Sequence, residues 1–246
     1  MTNIKKAVFL CFILVLFSSC KSKIDKTTPE YMYTDAMKHL KRGVYNEAAE
    51  KFEKIQDTAP FSEWSIRGQI MSAYSYYKAK EYQDSLRMID HFTQFYPIHK
   101  DLDYIYYLKI LNYYDRIVSI RKSRDITEES YLATKALLER FPDVKYTSDV
   151  EKKKIFIETY LSGNEMIIGR FYLNAQNYIG AINHFEFILN NYPNSKFVPE
   201  AHYRLVEAYS VLALESEVST SYRELHNKYS STKWFKYAQK ITRKNK

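Results

Sequence analysis

Cysteine, glycine, proline and long apolar runs are all scarce in this sequence, and each shortage excludes something. The two cysteines, Cys11 and Cys20, both fall within the first twenty residues. The rest of the chain has no thiol, so neither disulfides nor a cysteine-ligated metal can hold it together, and a hydrophobic core must do so. Five glycines and six prolines in 246 residues leave few breaks, while apolar residues recur at helical spacing, so the body reads as helical from Pro29 onward. Catalytic signatures are missing as well. There is no HExxH, GxGxxG, GxxxxGK or GxSxG, and His39, His91, His99, His184, His202 and His226 include no pair four residues apart. The acids of Glu128-Glu129-Ser130 are read as the first turn of a helix. No catalytic residue, metal ligand or cofactor is assigned, and no enzyme activity is expected.

The one unbroken apolar run is AVFLCFILVLF, Ala7 to Phe17, preceded by Lys5 and Lys6. As a helix it would span about 16 Å, against a bilayer hydrocarbon core of about 30 Å. That length suits the apolar region of a signal peptide and is too short to span a membrane. Ser18, Ser19 and Cys20 follow directly, and this junction resembles the lipobox of bacterial lipoproteins. Phe17 stands where that motif usually has Leu, with Leu16 one place earlier; an ordinary secreted protein with a chance cysteine is the competing reading. The resemblance implies that the Cys20 thiol receives a diacylglycerol and that cleavage occurs just before it, leaving an acylated, palmitate-type anchor. Residues 1–19 are thus expected as a lipoprotein signal peptide and residues 20–28 as a lipidated tether, whose Lys21–Thr28 stretch reaches roughly 26–29 Å when extended. Multiple acyl chains on one cysteine suffice for stable anchoring.

Removing residues 1–19 from 246 leaves 227, enough for a sizeable core. The formal charge is +8, or +6 once Lys5 and Lys6 are gone. Basic residues are mixed with acids along the chain, which reads as a solvated surface with a mild attraction to anionic lipid or acidic partners; no nucleic-acid partner is expected outside the cytoplasm. Thr28-Pro29-Glu30 has the form of a helix start: a capping hydroxyl, proline at the first helical position and an acid in the first turn.

Self-similarity is the strongest internal signal. Counting back 15, 12, 8 and 5 residues from Pro60 gives Tyr45, Ala48, Phe52 and Ile55; from Pro97, Tyr82, Ser85, Ile89 and Phe92; from Pro193, Tyr178, Ala181, Phe185 and Ile188. Spacings of three, four and three place each quartet on one helical face, and the proline ends the helix. Small residues, Ala36, Ala73 and Gly169, stand 24 positions before the same prolines, where they would allow the two helices of a hairpin to approach closely. This combination resembles the tetratricopeptide repeat. A weaker unit ends at Pro142 (Thr127, Ser130, Thr134, Leu137), and another ends at Lys228-Tyr229-Ser230 without a proline. The expected fold is therefore all-α, a TPR-like solenoid of about five helical hairpins over residues 29–232, followed by a basic C-terminal tail, 233–246. An irregular helical bundle is the alternative. Proline separations of 37, 45 and 51 residues require several helices longer than the bare 34-residue repeat needs. Tyrosines crowd the first helices of the hairpins, and Tyr74, Tyr77, Tyr104, Tyr107 and Tyr114 are the candidate partner-binding residues, since tyrosine joins apolar area to a polar tip. Filling of interhelical space by at least half of the tyrosines is the competing role.

At the level of whole segments the chain resembles the BamD family, TPR lipoproteins of the outer-membrane β-barrel assembly machine. The resemblance rests on Ala73–Tyr114, which contains FYPIHKDLDYIYYLK, on Glu139–Tyr146, and on Arg170–Tyr209. It implies a lipid-anchored protein on the periplasmic face of the outer membrane that binds unfolded barrel precursors through its N-terminal repeats, about Pro29 to Pro142. It also implies contact between the last two repeats and a POTRA-containing barrel subunit, with other assembly-machine lipoproteins as further partners. Lys21 after the cysteine and the non-acidic KSKIDK run agree, by the same resemblance, with the periplasmic side. The RKSRD segment, Arg121–Asp125, and the basic tail have no counterpart that could be assigned. Another periplasmic TPR adaptor of envelope or division machinery would share the fold and anchor without the FYPIHKDLDYIYY linker.

Overall fold

The computed structural model of the protein describes residues 25–120 and 124–244. Cys20, the signal peptide and most of the RKSRD segment lie outside the described residues. Eleven α-helices account for nearly all of what is described, with no strand among the described residues: α1 Pro29–Lys41, α2 Tyr45–Thr58, α3 Glu63–Ala79, α4 Tyr82–Phe95, α5 Leu102–Ile120, α6 Arg124–Arg140, α7 Thr147–Asn174, α8 Tyr178–Asn191, α9 Val198–Val211, α10 Glu215–Tyr229 and α11 Lys233–Lys244. The order is that of five helical hairpins and one closing helix, so the all-α hairpin architecture read from the repeats is the one observed. The helices group into two compact units that divide between Ala79 and Lys80.

In the first unit, α1 starts as its sequence dictates. The Thr28 hydroxyl accepts from the Tyr31 amide at 3.3 Å, and Pro29 occupies the first turn, where no amide donor is needed. Ala36, Ala48, Phe52 and Ile55 are fully or almost fully buried, with Tyr33, Leu40 and Trp64 packed around them. α3 approaches α2 so closely at Gly68 that a Cβ there would lie 3.0 Å from the Phe52 carbonyl oxygen. Lys51 on α2 donates to Asp35 on α1 at 2.7 Å, a partly buried tie between the two helices.

The second unit runs from α4 to α11, each helix packing chiefly on its neighbours in sequence. The apolar quartets turn out to be its core positions: Ser85, Ile89 and Phe92 in α4, and Ala181, Phe185 and Ile188 in α8, are fully buried. The weaker quartet of α6 behaves identically, with Thr127, Ser130, Thr134 and Leu137 at 0–1% exposure. Glu128–Ser130 lie one turn further into α6 than expected, because the helix begins at Arg124. Gly169 is the tightest point: a Cβ there would sit 2.5 Å from the buried Phe185 ring, so the small residue read from the repeat is a steric requirement of the α7–α8 contact. α7 explains the long spacing between Pro142 and Pro193. At 28 residues it is about 42 Å long. Its first half packs Val150, Ile157 and Leu161 against α5 and α6, and from Met166 onward it joins the core of α8 to α11.

Two kinds of turn join the helices. Pro60, Pro97, Pro142 and Pro193 each stand two residues beyond the last residue of a helix, as expected of a residue that cannot continue one. Within hairpins the chain instead passes through one left-handed residue, two positions before the next helix: Gly43 (φ 79°), Lys80 (65°), Gln176 (58°) and Ala213 (55°). At Gly43, Gln176 and Ala213 the following amide bonds back across the turn, Val44 to His39, Asn177 to Tyr172 and Leu214 to Tyr209, at 2.9–3.0 Å. This is the Schellman closure of a helix end. Lys233–Lys244, expected as a tail, is the helix α11; Trp234, Phe235, Ala238 and Ile241 recur at helical spacing and pack into the core of α8 to α10.

Candidate partner-binding surfaces

Of the five tyrosines singled out by the sequence, Tyr74 and Tyr77 lie on α3 and are half-buried in the first unit. The other three lie on α5 in the second unit, and the structure links them to the start of α7. Tyr107 stacks face to face on Tyr146, with ring centres 4.2 Å apart and planes at 10°, and Tyr104 meets the same ring at 6.1 Å. The Tyr107 hydroxyl donates to Asp149 Oδ2 at 2.9 Å, and Lys153 Nζ donates to the same oxygen at 2.6 Å. Lys153 also lies 5.0 Å over the Tyr114 ring, which meets Phe156 edge-on at 5.5 Å. Tyr104, Tyr107 and Tyr114 are thus members of one connected aromatic row whose outer faces remain partly open.

Electrostatics in this row follow from burial and from that shared carboxylate. Burial, reinforced by the hydrogen bond to Asp149, pushes the Tyr107 hydroxyl up to about 12. Burial pushes the Asp149 carboxyl the other way from its partners, but the hydrogen bonds from Lys153 and Tyr107 prevail and hold it below the ordinary range. The row is therefore a neutral phenol held by a charged carboxylate at neutral pH, suited to contact and hydrogen bonding.

A second surface, which the repeat reading missed, follows further along α7. Phe156, Ile167 and Phe171 are 43%, 63% and 67% exposed. Phe156 and Ile167, together with Tyr160 and Phe197, border an open groove of about 360 Å³, and Phe171 is exposed further along the same helix. Its floor is Gly163, where a Cβ would come within 3.0 Å of the Phe197 ring. Lys196 and Arg170 stand at its rim. Spacings of four, seven and four residues from Phe156 through Tyr160 and Ile167 to Phe171 are visible in the sequence, but a core stripe has the same spacings.

Buried acids occur, and each is neutralised by a base. Glu165, 5% exposed, receives His184 at 2.7 Å and Arg124 at 3.1 Å, tying α8 and α6 to α7. Glu200, 3% exposed, accepts from Arg170 Nε at 2.8 Å, joining α9 to α7, with Arg204 a further 3.5 Å away. Glu158 has Lys154 at 3.3 Å. These are ties between or along helices, and sequence alone offered no means of pairing partners up to 41 residues apart. Among the described residues no group of three or more His, Cys, Asp or Glu could hold a metal, and no helix is long and apolar enough to cross a membrane.

Comparison with known proteins agrees with the family resemblance. Residues 25–225 match the YfiO family, described as outer membrane lipoproteins. The outer membrane protein assembly factor BamD of Rickettsia prowazekii is 34% identical over 238 residues, covering 95% of this chain and 95% of that protein. BamD of Caulobacter vibrioides is 30% identical over 250 residues, covering 98% of this chain and 82% of the relative. BamD of Neisseria meningitidis serogroup B is 27% identical over 251 residues and covers 94% of each. With its hairpin order, its buried repeat positions and this extent of similarity, the chain belongs to the YfiO (BamD) family of outer membrane lipoproteins.

Proposed function

We propose that this protein is a non-catalytic lipoprotein subunit of the outer-membrane β-barrel assembly machine, anchored through Cys20 on the periplasmic face of the outer membrane. The observation that carries this reading is similarity to assembly factors along nearly the whole chain. A hairpin array offers side-chain surfaces along its length, and partner binding uses such surfaces without any reacting group. In this reading the tyrosines of the first three hairpins, Tyr74 and Tyr77 in one unit and Tyr104, Tyr107 and Tyr114 in the other, contact unfolded barrel precursors. Aromatic rings with hydroxyl tips suit extended segments in which apolar and polar residues alternate. The last two hairpins contact the POTRA-containing barrel subunit, and the groove around Gly163 is the apolar centre of that contact, with charged groups at its rim as in other interfaces.

Affinity capture of the full chain from detergent-solubilised membranes tests the reading. A POTRA-containing barrel protein should be recovered with it, and Ile167→Asp should reduce that recovery at least about tenfold, the loss expected when an apolar anchor at the centre of a contact is replaced by a charge. Repeated capture without any POTRA protein would overturn the assembly role. Recovery unaffected by Ile167→Asp would move the contact elsewhere on the last hairpins.

A further inference from the structure

The closing helix lies beyond residue 225, where the family match ends, and the repeat pattern does not account for it. Its sequence, KWFKYAQKITRK, contains no acid. One side is committed to the core: Ala238 is fully buried, and Trp234, Phe235 and Ile241 pack beside it. At about 100° per residue, Lys233, Lys236, Lys240 and Arg243 share roughly 80° of arc on the opposite side. All four are exposed. None of the four has an ion pair among the described residues, whereas many cations elsewhere sit beside acids, as Lys228 does with Glu224 at 2.8 Å and Arg124 with Glu128 at 2.7 Å. Lys233 lies 4.5 Å over the Trp234 ring, and Tyr237, 42% exposed, stands next to Lys240 at 6.0 Å. The result is a straight convex stripe of positive charge with an aromatic hydroxyl beside it.

We infer that this face of α11 docks on a bilayer surface rich in anionic phospholipid headgroups. A linear row of long, uncompensated cations matches a flat field of phosphates, and tyrosine at its edge suits the headgroup level. An acidic peptide would need a recess; the neighbouring cleft between α10 and α11, about 390 Å³, has one acid, Glu215, and one base, Arg243, in its wall and so offers no net positive charge to hold one. The apolar side of α11 is already occupied by the protein, so the contact is electrostatic and does not insert the helix. It supplies a second membrane contact at the end of the chain remote in sequence from Cys20, and it is independent of the assembly role.

Co-sedimentation with vesicles tests this, using residues 21–246, which contain every described helix and no acyl chain. Vesicles of phosphatidylcholine alone are compared with vesicles containing about 30% phosphatidylglycerol, at about 0.05 M and about 0.5 M salt. Binding should be at least about tenfold stronger to the anionic vesicles and should be lost at the higher salt. Changing Lys233, Lys236, Lys240 and Arg243 together to Gln should weaken it at least about a hundredfold, since each cation near such a surface contributes about fivefold. A charge-matched control, with exposed Lys41, Lys54, Lys100 and Lys152 changed to Gln, should lose less than about threefold. Equal loss in the two variants, equal binding to neutral and anionic vesicles, or binding to polyglutamate but not to vesicles would each overturn the proposal. Should circular dichroism show that the fourfold variant is unfolded, Lys236→Gln alone decides: about fivefold weaker binding supports the stripe, and unchanged binding overturns it.

Discussion

Tyr107 combines the structural and interactive demands placed on one residue here. Its ring is stacked on Tyr146 and its hydroxyl is given to Asp149, so it holds α5 to α7 while leaving one edge open. The hydroxyl pKa stands at about 12, as does that of Tyr192, which is raised chiefly by burial. Both are raised above the ordinary value of 10, so their contribution to stability is complete below about pH 10 and is lost as pH climbs from 10 toward 12. Tyr107→Phe should therefore reduce stability at neutral pH by about 1 kcal/mol, the net worth of one hydrogen bond, and should flatten the loss of stability between about pH 10 and 12. Urea unfolding at neutral and alkaline pH measures both, and an unchanged alkaline slope would mean that this phenol is not the group titrating. At this scale the sequence marked Tyr104, Tyr107 and Tyr114 from composition and position. It could not show that Tyr146, Asp149 and Lys153, some forty residues on, complete the row, because those pairings exist only once α7 is laid against α5.

Helix boundaries were largely local and largely legible. Thr28-Pro29-Glu30 starts α1 through a hydroxyl cap, and the prolines stop α2, α4, α6 and α8, because each effect acts within a few residues. The turns inside hairpins were not legible, since only one of the four left-handed positions, Gly43, is a glycine. Lys80, Gln176 and Ala213 adopt the same φ despite their side chains, and at Gln176 and Ala213 the helices on either side pack on each other and hold the turn. A reciprocal pair of substitutions follows. Ala213→Gly should stabilise by about 0.5–1 kcal/mol, as relief of left-handed strain outweighs the added freedom of the unfolded chain, whereas Gly43→Ala should cost about 1 kcal/mol. Thermal melts resolve this, at about 2–4 °C per kcal/mol for a chain of this size. A destabilised Ala213→Gly would show that the turn carries no strain. α11 is the other element missed, because its run of lysines reads as a solvated tail. Its apolar residues, Trp234, Phe235, Ala238 and Ile241, become a helix face only with α9 and α10 to receive them.

On the scale of the whole molecule, the proposed anchoring through Cys20 and the proposed docking of α11 can be tested separately. Cys20→Ser should abolish acylation and leave the helical domain folded, so that the protein remaining with membranes is extracted by about 0.5 M salt, whereas the acylated form requires detergent. Fractionation of cells expressing each form measures this. Retention of the Cys20→Ser protein in washed, partner-depleted outer membranes at the level of the unaltered chain would show that the anchor lies elsewhere.

By itself the sequence determined the helical hairpins, their number, the quartets that fill each core and the need for a small residue at position 169, because helical periodicity and proline stops are local and repeated. It also carried the resemblance that placed the chain in its family. Only the tertiary structure decided which tyrosines share a row, that Glu165 and Glu200 are buried beside bases from other helices, that Phe156 and Ile167 face outward around Gly163, and that the last basic segment is a packed helix. An apolar residue at helical spacing fits a core or a partner equally well. Which of the two it meets depends on what the neighbouring helices cover, and that is a property of packing alone.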